Sequence, residues 1–207
     1  MKIASPKIKN CVEYSIIDSI KDQEFSNKLY NNNIEDNVII SDITFDSSIF
    51  NNINFSNIKL DNVDLVDVIF KNCDLSNQNF DNNLLSRVVF DNCKLLGTSF
   101  VNSSLKDVTF SSSNFKYTNY FGSSLNNIEI IDSDFSNSIF TESKIKNISL
   151  YNSTFNETEF IKTNLKDVDF STCNIERIVF DIGSLKGIKI NALQASDIVS
   201  LFGVQIK

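Results

Sequence analysis

The chain has 207 residues, about the size of one domain, with 42% hydrophobic residues and an aromatic content dominated by 18 phenylalanines. It contains no histidine, five glycines and one proline, which leaves no imidazole for acid–base or metal chemistry and no glycine-rich loop to cradle a phosphate. With 19 Lys and Arg against 26 Asp and Glu, the net charge of −7 argues against direct binding of nucleic acid.

The N-terminal stretch MKIASPKIKNCVEYSII holds no apolar run long enough for a secretory signal, and no later segment approaches a membrane span, so a cytosolic protein is expected. Residues 1–37 are read as a cap with one irregular coil. Leu29 and Ile34 are five apart but one residue out of phase with Ile40, which predicts an inserted residue near Glu35–Val38. Tyr14, Ile17, Ile20 and Phe25 are apolar without a clear period.

From Ile40 to Ile190 every fifth residue is large and apolar, thirty-one in succession, as in Ile40, Phe45, Phe50, Phe55, Leu60 and Leu65. A helix needs apolar spacings of three and four and a half-buried strand needs alternation, so neither template fits. A second stripe lies two residues earlier. It is β-branched or Cys at Val63, Val68, Cys73, Val88, Cys93 and Val108, and mostly Ser or Thr elsewhere. Positions two apart point the same way along an extended chain, so each pentapeptide offers one large and one small residue to the inside. A twenty-residue recurrence lies on top, in Val68, Val88, Val108, Ile128, Ile148 and Val168 and in Leu65, Leu85, Leu105 and Leu125. Four pentapeptides therefore make one coil with four flat sides. At about 4.8 Å between stacked strands the thirty-one units span roughly 37 Å. A single coil cannot offset its own ordering entropy, so stability must come from contacts between coils.

The units CDLSN from Cys73, TNLKD from Thr163 and SDFSN from Ser133 resemble the motif of the pentapeptide-repeat family: a small residue, Asp or Asn, Leu or Phe, then two polar residues. The resemblance covers about three quarters of the chain, residues 38–190. It implies an all-β solenoid, a right-handed quadrilateral β-helix, and no catalytic residue, cofactor or metal. Cys73, Cys93 and Cys173 fall on one inward column with Ser113, Ser133 and Ser153, and are read as small interior filler.

Residues 191–207 read as a short helix followed by a strand. Asn191 can cap a helix from Ala192, Ala195, Ile198, Val199 and Phe202 share one face, Gly203 suits the stop, and Val204–Ile206 can extend. The helix is a lid on the last coil, and Leu193 and Leu201 add apolar surface beyond a lid's needs. The order LKGIKINALQASDIVSLFGVQIK from Leu185 resembles the ending of the Qnr and MfpA group of the family. That resemblance implies a homodimer joined end to end through Leu193, Ile198, Val199, Leu201 and Phe202. It also implies a non-enzymatic mimic of duplex DNA that binds DNA gyrase or topoisomerase IV and modulates the enzyme or protects it from quinolones. The alternative is a structural or protein-binding rod with no topoisomerase role.

Charge is unevenly spread. From Asp42 to Asp91 eight acids meet Lys59, Lys71 and Arg87, whereas from Asn92 to Ile190 eleven acids meet ten bases, with Lys106, Lys146, Lys166 and Lys186 along one edge. The expected partner contacts are Asp61, Asp64, Asp67, Asp74 and Asp81. Asp64 and Asp74 precede an inward Leu, and Asp61 and Asp81 follow an inward residue, so these should project into solvent.

Overall fold

In the computed structural model, which describes residues 3–201 and 203–204, the chain winds into a parallel β-solenoid closed at the C-terminal end by a helix. The elements in order are β1 (Val12–Glu13), α1 (Ile16–Asp22), β2 (Lys28–Tyr30), β3 (Val38–Asn51), a 3₁₀ turn at Phe55–Asn57, β4 (Ile58–Lys71), β5 (Leu84–Asp91), β6 (Ser104–Ser111), β7 (Ser124–Ile131), β8 (Lys144–Tyr151), β9 (Glu159–Phe160), β10 (Val179–Phe180) and α2 (Ala192–Leu201). Strands β1 to β8 form one parallel sheet in sequence order, and from β2 onward each residue pairs with the residue twenty further along, as in Phe50↔Phe70 and Phe70↔Phe90. The remaining two sides of the coil are held by isolated bridges with the same offset, Asn54↔Asp74↔Lys94↔Asn114 on one and Asn79↔Ser99↔Asn119↔Ile139 on the other. Four ladders with a twenty-residue offset are what the recurrence in the sequence requires.

The corners follow from backbone geometry. From Asn62 to Asp167 the residue two places after each large apolar residue has φ between 46° and 68°. Only glycine enters this left-handed region freely, and Asn and Asp tolerate it better than other residues. Asn, Asp or Gly therefore fills most of these positions, including Asn72, Asn77, Asn82, Gly97 and Asp107, while Arg87, Tyr117 and Lys162 accept a strain of roughly 1–2 kcal/mol each.

The large apolar residues stack into interior columns. Phe70 lies 5.1 Å from Phe90 with rings 4° from parallel, and Phe90 lies 5.6 Å from Phe110; Leu65, Leu85 and Leu105 are fully buried in the next column. The small inward position does two jobs. Val68, Val88 and Val108 fill space, whereas several hydroxyls there donate to the carbonyl of an apolar residue one coil below: Thr98 Oγ1 to Leu75 O (2.9 Å), Ser138 Oγ to Phe115 O (2.9 Å), Thr158 Oγ1 to Phe135 O (2.8 Å). Buried hydroxyls are thereby satisfied, and neighbouring coils are tied together.

At the N-terminal end the five-residue frame begins earlier than expected and passes through different residues. Phe25 and Tyr30 are the inward ones; Tyr30 stacks on Phe50 at 4.7 Å and Phe25 packs edge-on against Phe45 at 5.4 Å, while Leu29 faces outward and pairs with Ile49. Tyr30 reads poorly as a core residue because of its hydroxyl, yet Ser19 Oγ meets that hydroxyl at 2.9 Å inside the cap. The step from β1 to β2 is sixteen residues, not twenty, because α1 replaces a side of the coil; Ser15 caps it, its Oγ accepting from Asp18 N at 2.9 Å. Before β1 the chain forms a strap along one corner. Lys7 N donates to Asp67 Oδ1 (2.7 Å), Ala4 N to Asp107 Oδ1 (3.2 Å) and Ser47 Oγ to Lys7 O (3.2 Å), so residues 4–7 cross several coils.

The lid is built as the sequence suggests at its start. Asn191 Oδ1 accepts from Leu193 N and Gln194 N, both at 3.0 Å, and Gln194 Oε1 accepts from Asn191 N at 2.8 Å, a reciprocal cap. Gln194 Nε2 also donates to Phe170 O (2.8 Å) and Cys173 O (2.7 Å), satisfying carbonyls that the next coil would otherwise have taken. A strand at Val204–Ile206 lies largely outside the described residues.

Candidate partner-binding surface

Because each side of a coil takes five residues, the position of an acid within the twenty-residue repeat decides its face. Asp61 and Asp81 sit in one column, twenty apart, immediately before a corner occupied by Asp42, Asn62 and Asn82; Asp64 comes just after that corner on the adjoining face. Asn62 Nδ2 donates to Asp42 Oδ1 (2.8 Å) and Leu84 N to Asp64 Oδ1 (2.7 Å). Asp81 accepts from Ser99 Oγ (2.5 Å) and Val101 N (2.8 Å). These bonds fix Asp42, Asp64 and Asp81 in place without neutralising them. The result is an acidic ridge of Asp42, Asp61, Asp64 and Asp81 along one edge of the N-terminal coils. Its neighbouring base is Lys59, 3.7 Å from Asp61 with both side chains more than half exposed, a pair worth little in water.

The other two expected contacts do not join the ridge. Asp67 is 5% exposed at a different corner, where Arg87 grips it through Nε (2.5 Å) and Nη2 (2.7 Å) and the strap covers it through Lys7 N. The Arg87 hydrogen bonds hold its carboxyl below the usual range. Asp74 lies on a third face, 3.2 Å from Lys94 Nζ. Asp42 belongs to the ridge although its place in the repeat, and not its local sequence, is what puts it there.

Beyond the ridge, on the face that carries Asp61 and Asp81, the C-terminal coils expose Phe121 (40%), Ile139 (36%) and Val179 (42%), with Tyr117 (60%) at the adjacent corner. On the lid Leu193 is 83% exposed, Val199 37% and Val204 51%. Ile198, in contrast, is buried against its own coil and is not available to a second chain. The Leu201 side chain and Phe202 lie outside the described residues. All four cysteines are free thiols, and Cys73, Cys93 and Cys173 are buried as interior filler. Among the described residues no cluster of three or more Cys, Asp or Glu could hold a metal, and no helix is long and apolar enough to cross a membrane.

A family model for a pentapeptide repeat region matches residues 63–134, and a second, for pentapeptide repeats in eight copies, matches residues 39–77 and 138–177. Together they cover most of the coils. The chain belongs to the pentapeptide-repeat family. No curated protein sequence matches it. Solved pentapeptide-repeat structures are similar to it at low identity and with TM-scores below 0.5. A trypsin-treated form of QnrB1, a plasmid-mediated fluoroquinolone resistance protein, is 19% identical over 83% of this chain and 99% of its own, with a TM-score of 0.43. HetL, involved in heterocyst differentiation regulation in the cyanobacterium Nostoc sp. strain PCC 7120, is 12% identical over 84% of this chain and 95% of its own, with a TM-score of 0.36. A pentapeptide-repeat protein of the Arabidopsis thaliana thylakoid lumen is 15% identical over 48% of this chain and 66% of its own, with a TM-score of 0.38.

Proposed function

We propose that this pentapeptide-repeat protein is a non-enzymatic cytosolic rod whose acidic ridge occupies the positively charged DNA-binding surface of a type II topoisomerase, DNA gyrase or topoisomerase IV. Binding there would modulate the enzyme or protect it from quinolones. The observation that carries this reading is the ridge itself. Asp42, Asp61, Asp64 and Asp81, less Lys59, put a net three charges on about two coil rises, or roughly 10 Å of axis. One strand of a duplex carries one phosphate per about 3.4 Å. The ridge thus approximates a single backbone strand in charge density, on a scaffold whose hydrogen bonds hold three of its four carboxylates, Asp42, Asp64 and Asp81. The C-terminal resemblance to the Qnr and MfpA group supports the same partner. Two copies would join through the lids, where Leu193, Val199 and Val204 are exposed.

The test is a supercoiling assay with purified gyrase, with and without a quinolone, beside a binding measurement at two salt concentrations. Binding should weaken with salt and compete with duplex DNA, and replacing Asp42, Asp61, Asp64 and Asp81 with Asn should weaken it at least tenfold. Unchanged supercoiling, unchanged drug inhibition and no binding at low salt would end the proposal. The apolar strip of Phe121, Ile139 and Val179 favours the second reading, a protein-binding rod with no topoisomerase role.

A further inference from the structure

The ladder that runs without interruption from β3 to β8 is open immediately after β8. Strand β8 pairs back to β7 from Ser124↔Lys144 to Ile131↔Tyr151, but among the described residues neither strand pairing nor a backbone hydrogen bond joins 145–151 to the following coil at 165–171. Pairing resumes beyond the opening, at Thr154↔Asn174 and Glu159↔Val179, and the coil at 165–171 pairs onward through Asp169↔Lys189. The opening is therefore a local separation of two coils within an otherwise stacked rod.

Its lining differs from the rest of the rod. Leu125, Ile128 and Ile130 of β7 are at most 1% exposed, whereas their counterparts Ile145, Ile148 and Leu150 are only partly buried. The recess measures about 710 Å³ and is lined by Ile145, Ile148 and Val168, by Lys146, Lys166 and Asp167, and by three asparagines. Behind it Phe170 packs edge-on against Phe155 and Phe160, at 89° and 75°, as Phe110 does against Phe115 in the closed coils. No carboxylate lies within ion-pair distance of Lys144, Lys146, Lys166 or Lys186 among the described residues.

Unpaired backbone edges, apolar side chains that have lost their cover and lysines without partners occur together at this one place. We infer that the opening is a β-augmentation site for an extended segment of a partner protein in which apolar residues alternate with acidic ones. A strand inserted there supplies donors and acceptors to β8 or to the facing coil. Its alternate side chains cover Ile145 and Ile148 while the others meet Lys146 and Lys166. A small anion would satisfy the lysines but leave the backbone edges open, and a basic segment would be repelled. This site is separate from the acidic ridge and does not depend on the topoisomerase reading.

Hydrogen–deuterium exchange on the free protein gives the first test. The amides that face the opening and have no acceptor among the described residues, Asn147 and Leu150 in β8 and Asp169 in the facing coil, should exchange at least about tenfold faster than those of Asn127 and Ile130 in β7, since unpaired backbone opens with little cost; equal protection would mean a closed ladder and overturn the inference. Next, a ten-residue peptide alternating valine and glutamate is compared with one alternating valine and lysine. The acidic peptide should bind at least tenfold more tightly and slow exchange in those two segments, and Lys146→Glu with Lys166→Glu should reverse the preference. If the double variant melts early, Lys166→Gln alone should still weaken the acidic peptide severalfold. Equal binding of the two peptides, or protection elsewhere, would overturn the assignment. Protection that rises with protein concentration in the absence of peptide would give the opening to a second copy and overturn it equally.

Discussion

Two residues carry tests of how the interior is satisfied. Tyr120 is fully buried between Phe100 (4.9 Å) and Phe140 (4.5 Å), and among the described residues its hydroxyl makes no well-formed hydrogen bond. An orphaned buried hydroxyl costs about 1–3 kcal/mol, so Tyr120→Phe should raise the melting temperature, and a fall would show that the hydroxyl has a partner. Asp67 tests the opposite case. Its carboxyl is held below the ordinary range of about 3.9, chiefly by Arg87 and also by Lys7 N. A depressed folded-state pKa contributes stability that is complete above the unfolded value and is lost as pH falls through the folded one. Between pH 5 and about pH 2 the wild type should therefore lose stability more steeply than Asp67→Asn, a difference read from thermal melts across that range; parallel slopes would remove the pair from the acid response.

At the scale of elements, the ends show how a solenoid stops. Each coil uses the next to satisfy its upward-facing backbone, and the last has none. Helix α2 meets this need through one side chain: Gln194 caps the helix and also donates to Phe170 O and Cys173 O. Gln194→Ala removes three hydrogen bonds and leaves buried carbonyls unpaired, each at about 1–3 kcal/mol. The lid should open before the coils do, seen as faster amide exchange in 192–201 with little change in 84–111. Gln78 plays a similar part inside the rod, donating to Phe55 O (3.1 Å) and Ile58 O (2.7 Å) where the 3₁₀ turn interrupts the ladder.

At the scale of the whole molecule the rod has a polarity of charge and an exposed apolar end. Pairing through the lids would cover Leu193, which is 83% exposed, in the closed two-fold arrangement commonest for such ends. Leu193→Glu leaves Ile198 and Gln194 in place, so the lid stays shut while the junction gains a charge. Light scattering should report a dimer for the wild type and a monomer for the variant; a dimer that survives the substitution, or a monomeric wild type, would exclude this junction.

The five-residue and twenty-residue periods were sufficient to place Phe70, Phe90 and Phe110 inside and to stack them, because every coil repeats the same local problem of one large residue and one small one; the left-handed corners at Asn72, Asn92 and Ser112 emerged only in the structure. The helix start at Asn191 was equally local. Tertiary structure alone decided which acids meet. Asp61, Asp64, Asp67, Asp74 and Asp81 look alike in the linear chain, yet a shift of three positions within the coil carries Asp64 at the ridge to Asp67 under Arg87 and the strap. Nor did the sequence mark the opening after β8: SKIKNISL and TNLKDVDF are near copies of the paired units, and nothing in their residues accounts for the separation. Periodicity fixes what each unit buries, since burial depends on the unit's own side chains; distances between coils and between faces depend on packing summed over the whole rod, which no single unit records.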